Sequence, residues 1–178
     1  MTNNSVVLIT GGLTGIGRAA AVAFAKKGAK VVVSGRRDEA GKALVEELRA
    51  FGSEAEFINA DVRKEDDVRN MVDTTVARFG RLDVAVNNAA TEGAVGPITD
   101  QTAESFAATF ETNVLGVVLS MKHEVRAMQA QGAAASSISP RPTGTRVRLS
   151  PRFTSAPSTP SKVSPSRWRS KSPSREFA

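Results

Sequence analysis

The sequence predicts an α/β protein built on a doubly wound parallel sheet. Short apolar, β-branched runs alternate with longer stretches of helical period. The runs are continuously apolar, as in strands covered on both faces. A glycine-rich turn joins the first run to the first helix.

Val6–Thr10 (VVLIT) is the first strand. Glycines follow, then IGRAAAVAFAKKG, an apolar helix pattern closed by Gly28. KVVVS is the second strand. Asp38 can cap a helix that reaches about Phe51. AEFINA is the third strand. The next helix, KEDDVRNMVDTTVARFG, places Val68, Met71, Val72, Val76 and Phe79 three or four apart, on one face. LDVAVNN is the fourth strand, and Thr102 to about Met128 reads as one long helix. No strand pattern follows Gln131. Right-handed crossovers then give strand order 3-2-1-4.

Charge divides the chain in two. The 178 residues carry +6, but the stretch after Gly132 holds seven Arg and two Lys against one acid, Glu176, which is +8. The first 132 residues therefore carry −2. The stretch 133–178 also holds seven of the eight prolines and 12 serines, with no apolar period, so burial cannot offset its ordering entropy. Two regions are expected: 1–132, a folded domain, and 133–178, a Ser/Pro/Arg-rich tail. Without cysteine there is no disulfide framework or thiolate metal site, and one histidine, His123, argues against a multi-histidine site. No apolar run approaches the ~18 residues of a membrane span. MTNNSVV lacks the basic and apolar parts of a secretory leader, so a cytoplasmic location and no membrane partner are expected.

The turn TGGLTGIG (10–17) sits between the first strand and first helix. A pyrophosphate needs close backbone approach, which glycine permits, and N–H donors, which a helix N-terminus supplies. A plain tight turn would need the glycines but not this setting. The setting makes the sheet Rossmann-like and the turn a nucleotide cradle.

The spacing T-G-x-x-x-G-x-G resembles that of the short-chain dehydrogenase/reductase family. Three further motifs carry the resemblance: Asp61-Val62 after the third strand, NNAA (87–90) at the end of the fourth, and Asn113 in FETNVLG. It covers residues 5 to about 132. It implies cofactor contacts from Gly11, Leu13, Thr14, Gly15, Ile16 and Gly17, and from Asp61, Val62, Asn87 and Ala89. Asp61 would meet the adenine amino group or cap a helix. Asn87 would contact the nicotinamide ribose or stabilise a turn. Asn113 would hold a water of the family's proton relay, the one matching catalytic position, or be a hydrogen-bonded core group. The second strand ends in Ser34-Gly35-Arg36-Arg37 with no acid. Arg36 and Arg37 suit the 2′-phosphate of NADP over the bare ribose of NAD, unless they are only a solvated basic turn. His123 has charged neighbours and reads as surface. Asp83 and Glu92 have no partner legible in the sequence.

The family's chemistry needs a serine, a tyrosine and a lysine four residues after the tyrosine. This chain has no tyrosine. The resemblance stops abruptly at Gly132, which suggests a shifted reading frame. If one base is missing there, each original codon joins the last base of one present codon to the first two of the next. Phe153 ends in T or C and Thr154 begins AC, so the codon across them is Tyr or His. One permitted reading from Ala133 runs through SIINIS, a fifth strand, then a serine 13 residues before a tyrosine, then Y-V-G-T-K. The tyrosine codon overlaps Thr154 and the lysine codon Ser158. No stop is forced in the 46 positions from 133 to 178.

The resemblance thus implies hydride transfer between NADP and a small alcohol or carbonyl substrate. The chain as written is expected to be catalytically dead, with an open apolar edge on its fourth strand. The family's homo-oligomer contacts use the long helix and are expected to fail here. In a second reading the basic tail, SPSRWRSKSPSR, holds nucleic acid or another acidic partner. A third is a cofactor-binding regulator.

Overall fold

The computed structural model describes residues 4–132, 136–138 and 147–148. Strand β1 (Val6–Thr10) is buried at all five positions. It lies between β2 (Lys30–Gly35) and β4 (Val84–Asn87), parallel to both, with Leu8 opposite Val32 and Ala85. β3 (Ala55–Asn59) pairs parallel with β2 on the far side. The order 3-2-1-4 follows from right-handed crossovers, as the alternating pattern requires.

The β-branched strands are covered on both faces. Val7, Ile9, Val31 and Val33 pack against α1 (Gly15–Ala25) and α2 (Asp38–Ala50) through Ala21, Ala25, Leu44 and Leu48. Leu8, Val32 and Ala85 point the other way. There α3 (Glu65–Phe79) supplies Val68, Met71 and Val72. The burial of each strand on two faces explains why its apolar run is unbroken.

After β4 the structure departs from one continuous helix. α4 (Ala103–Phe110) starts at a capping box in which Thr102 and Ser105 exchange bonds. Glu111–Leu115 then forms a π-helical turn, and α5 (Gly116–Ala130) continues. The turn's extra residue re-aims the two helices independently. Asn113 faces the backbone of Thr91, while Leu119 and Met128 face the sheet. Gly116 lies so close to Val62 that a Cβ would be 2.7 Å from its Cγ2. α5 therefore packs tightly, and His123 is buried at 4 % exposure, not on the surface as its charged neighbours suggest. Its Nε2 lies 3.2 Å from Glu65 Oε1, and Lys122 bonds the same oxygen at 2.6 Å. These two partners hold the Glu65 carboxyl below its usual range, Lys122 foremost.

Among the described residues the sheet has two further strands, which corrects the expectation of none after Gln131. β5 (Ser136–Ile138) pairs parallel with β4, Ser137 opposite Ala85 and Ile138 opposite Val86. β6 (Val147–Arg148) pairs antiparallel with β5. Backbone bonding needs no side-chain pattern, so any extended segment can complete the unpaired N–H and C=O groups of β4's edge. That edge is thus covered along Ala85 and Val86. The charge and the nucleic-acid reading of the rest of the tail lie outside the described residues. No described helix is long and apolar enough to cross a membrane.

Candidate cofactor-binding site

A cleft opens where β1, β2 and β4 end. β1 leaves the sheet through Gly11 at φ +62°, a left-handed conformation that a side chain would strain. A Cβ there would lie 2.7 Å from Ala89 Cα. Thr10 ties the two loops together: its Oγ1 accepts from the N–H groups of Asn88 at 3.1 Å and Ala89 at 3.2 Å. Asn88 Nδ2 donates back to the Gly11 carbonyl at 2.9 Å. At Gly17 a Cβ would lie 2.4 Å from both Asn88 Nδ2 and the Gly11 oxygen. The turn must therefore be glycine to close against β4.

The helix that follows presents its N-terminus openly. Thr14 is the N-cap of α1 and its side chain makes no capping bond. The first-turn N–H groups have no intrahelical acceptor and carry the positive end of the helix dipole. Gly15, at φ +53°, has no atom within 4 Å of a Cβ position, and the N-cap Thr14 lines the cleft. This fits a diphosphate. Ile16 is exposed beside it, at 68 %.

The cavity is about 490 Å³ and gathers most of the residues read from sequence. Gly11, Leu13 and Thr14 come from the turn, Arg36 and Arg37 from the end of β2, Asp61 and Val62 from the β3–α3 loop, and Ala89 from the end of β4. Leu13 leans on Gly35, where a Cβ would be 2.7 Å from Leu13 Cδ1. Arg36 and Arg37 are exposed at the rim.

Gly15, Ile16, Gly17, Asn87 and Asn113 are not among the lining residues. Asn87 is buried, and its Nδ2 donates to the buried carboxylate of Glu124 at 2.9 Å. Asn113 braces the wall: its Oδ1 accepts from the Thr91 N–H at 2.9 Å and its Nδ2 donates to the Thr91 carbonyl at 2.8 Å. Asp61 does not cap α3, whose N-cap is Lys64. Its carboxylate takes Arg63 instead, Nη2 to Oδ2 at 2.5 Å and Nε to Oδ1 at 3.0 Å. That guanidinium holds the Asp61 carboxyl below its usual range, with Arg36 adding to the effect. Asp83 also has partners: Arg81, and the Val6 N–H at 2.8 Å.

Sequence reasoning placed Thr10 and Asn88 in motifs without giving either a role, and passed over Arg63. A hydroxyl at the end of a buried strand and the second Asn of the N-N pair were available signals for the first two. An Asp-x-Arg pair in a loop carries no such signal.

Comparison with known proteins identifies the family. The model of the short chain dehydrogenase family matches residues 5–138, through β5 and past the Gly132 at which the sequence motifs end. An oxidoreductase of Thermotoga maritima is 46 % identical over 129 residues, 71 % of this chain and 49 % of that protein. A solved short-chain dehydrogenase/reductase from Burkholderia phymatum in complex with NAD superposes with TM-score 0.73 at 31 % identity, over 78 % of this chain and 50 % of that one. The actinorhodin polyketide ketoreductase with NADPH gives 0.69 at 34 %, over 72 % and 50 %. The chain spans about half the length of the relatives it matches. Sequence, sheet order and cleft agree: the chain belongs to the short-chain dehydrogenase family.

Proposed function

We propose that residues 1–132 are the cofactor half of an NADP-dependent oxidoreductase that exchanges a hydride between the nicotinamide and an alcohol or carbonyl carbon. The observation that supports this best is the cleft itself: Thr14, at the uncapped N-terminus of α1, lines it, with Arg36 and Arg37 at the rim. Gly11, Leu13 and Thr14 with the first turn of α1 (Gly15, Ile16, Gly17) would hold the diphosphate. Arg36 and Arg37 would take a ribose 2′-phosphate. Asp61, Val62 and Ala89 would wall the adenosine and central parts. The nicotinamide supplies or accepts the hydride when bound. Asn87 and Asn113 serve by holding the floor and the Thr91 wall. The cytoplasm is the compartment we assign.

The 178-residue chain by itself binds weakly and does not turn over, because it has no tyrosine to act as general acid or base. Residues 133–178 are an out-of-frame reading of the family's second half. The permitted string with its Ser, Tyr and Lys at family spacing supports this. An apolar stripe of Phe106, Phe110, Val114 and Val118, all exposed, supports self-association once the second half is present.

The test is a direct read of the gene from about codon 125, followed by assay of both products. A missing base near codon 132, and NADPH-dependent reduction only by the frame-restored protein, are the expected results. Turnover by a 178-residue chain of verified mass would refute the proposal.

A further inference from the structure

Arg63 lines the same cavity as Arg36 and Arg37, from the β3–α3 loop. Its guanidinium is held in place: Nε lies 3.0 and 3.1 Å from the two Asp61 oxygens, and Nη2 2.5 Å from Oδ2. The Arg63 N–H adds a fourth bond, to Oδ1 at 3.1 Å. Asp61 is fixed in turn, its own N–H donating to Asp67 Oδ2 at 3.0 Å and its side chain only 13 % exposed. Glu111, at the start of the π-turn, also acts on Arg63 through its charge.

Two consequences follow. Arg63 occupies most of the acceptor capacity of Asp61, so little is left for an adenine amino group. The guanidinium keeps other N–H donors for a ligand, in a planar fork already oriented. With Asp61 and Glu111 offsetting two charges, the three arginines leave the rim one net positive charge. That suits a phosphate dianion better than a ribose hydroxyl pair.

We propose that Arg63 is a third cofactor-selecting residue, which completes with Arg36 and Arg37 a cationic wall for the ribose 2′-phosphate. The inference rests on the NADP reading and assigns a residue to it.

The test compares two ligands that differ only in that phosphate, adenosine 2′,5′-bisphosphate and adenosine 5′-monophosphate. Each is titrated calorimetrically into the full 178-residue chain at low salt. Their affinity ratio cancels the fraction of competent protein. The native chain should favour the bisphosphate at least about tenfold, and Arg63→Ala should cut that ratio about five- to tenfold, the worth of one hydrogen bond at a solvated rim. If Arg63→Ala weakens both ligands equally, Arg63 only braces Asp61 and the inference falls. If Arg36→Ala collapses the ratio and Arg63→Ala does not, the NADP reading stands and this inference falls. A native ratio near one, or no binding of either ligand, overturns both. Should Arg63→Ala bind neither ligand, Arg63→Gln decides: it keeps an amide donor for Asp61 and loses the charge, so an unchanged ratio refutes the role.

Discussion

Replacing Gly17 by alanine tests the closure of the nucleotide cradle. The new Cβ would lie 2.4 Å from Asn88 Nδ2 and 2.4 Å from the Gly11 carbonyl oxygen. Asn88 can swing aside only by giving up its 2.9 Å bond to that carbonyl, a loss of about 1 kcal/mol. The Gly11 oxygen is backbone, so the turn must shift, which costs about 1–3 kcal/mol. Alanine's better helix propensity returns up to about 1 kcal/mol. The net is a destabilisation of about 1–3 kcal/mol, or roughly 4–12 °C in Tm for a domain of this size. Thermal melts followed by circular dichroism would read it. Gly15→Ala is the control: its Cβ meets nothing within 4 Å, so only the left-handed φ of +53° costs, about 1 kcal/mol. Asn88→Ala removes one of the two contacts and leaves the other. Adding Gly17→Ala to Asn88→Ala should therefore lower Tm further. A Gly17→Ala protein that melts at or above the native temperature would refute the close packing of turn on strand.

Three more outcomes are expected. Thr10→Val removes the acceptor shared by the Asn88 and Ala89 N–H groups and should cost about 2 kcal/mol in urea unfolding, mainly through unpaired donors. Leu8→Ala, at a fully buried position of the central strand, should cost about 2–5 kcal/mol by the same measurement. Asp61 gives a pH signature. Its folded pKa lies below the ordinary value of about 4. Its contribution is therefore complete above that value and fades as pH falls through the lower folded one. The urea midpoints of native protein and Asp61→Asn should differ at pH 6–7 and converge in strong acid. A gap that widens on acidification would contradict the Arg63 pairing.

The elements legible in the sequence were those whose burial is simple. β1 to β4 are covered on both faces, so their apolar runs are unbroken, and the glycine turn needs its residue types for steric reasons that spacing reveals. His123 was misread because burial on α5 is set by α3, a helix about 50 residues earlier, and its partner Glu65 lies on that helix. The π-turn at Glu111–Leu115 has no compositional mark; it exists because Asn113 and Leu119 answer to different neighbours. β5 is three residues held by backbone bonds to β4, which no side-chain period announces. At the site, the turn and the two arginines were readable as chemistry. The Asp61–Arg63 pair was not, since it depends on how a loop folds back on itself.

The two faces of the sheet close at different moments of synthesis. The face under α1 and α2 is built from residues 7–57 with only Val84 and Val86 of β4 from further on, so it is nearly finished when β3 has emerged. The opposite face begins with Leu8 and is finished by Leu119 and Met128 on α5. A ribosome adding ~5–20 residues per second takes about 2–9 s to pass from β4 to the end of that helix. Through that interval Leu8 and Val32 have α3 over them and nothing from α5. The nascent chain therefore carries a half-roofed apolar surface, which makes α5 the step at which a chaperone would have to let go.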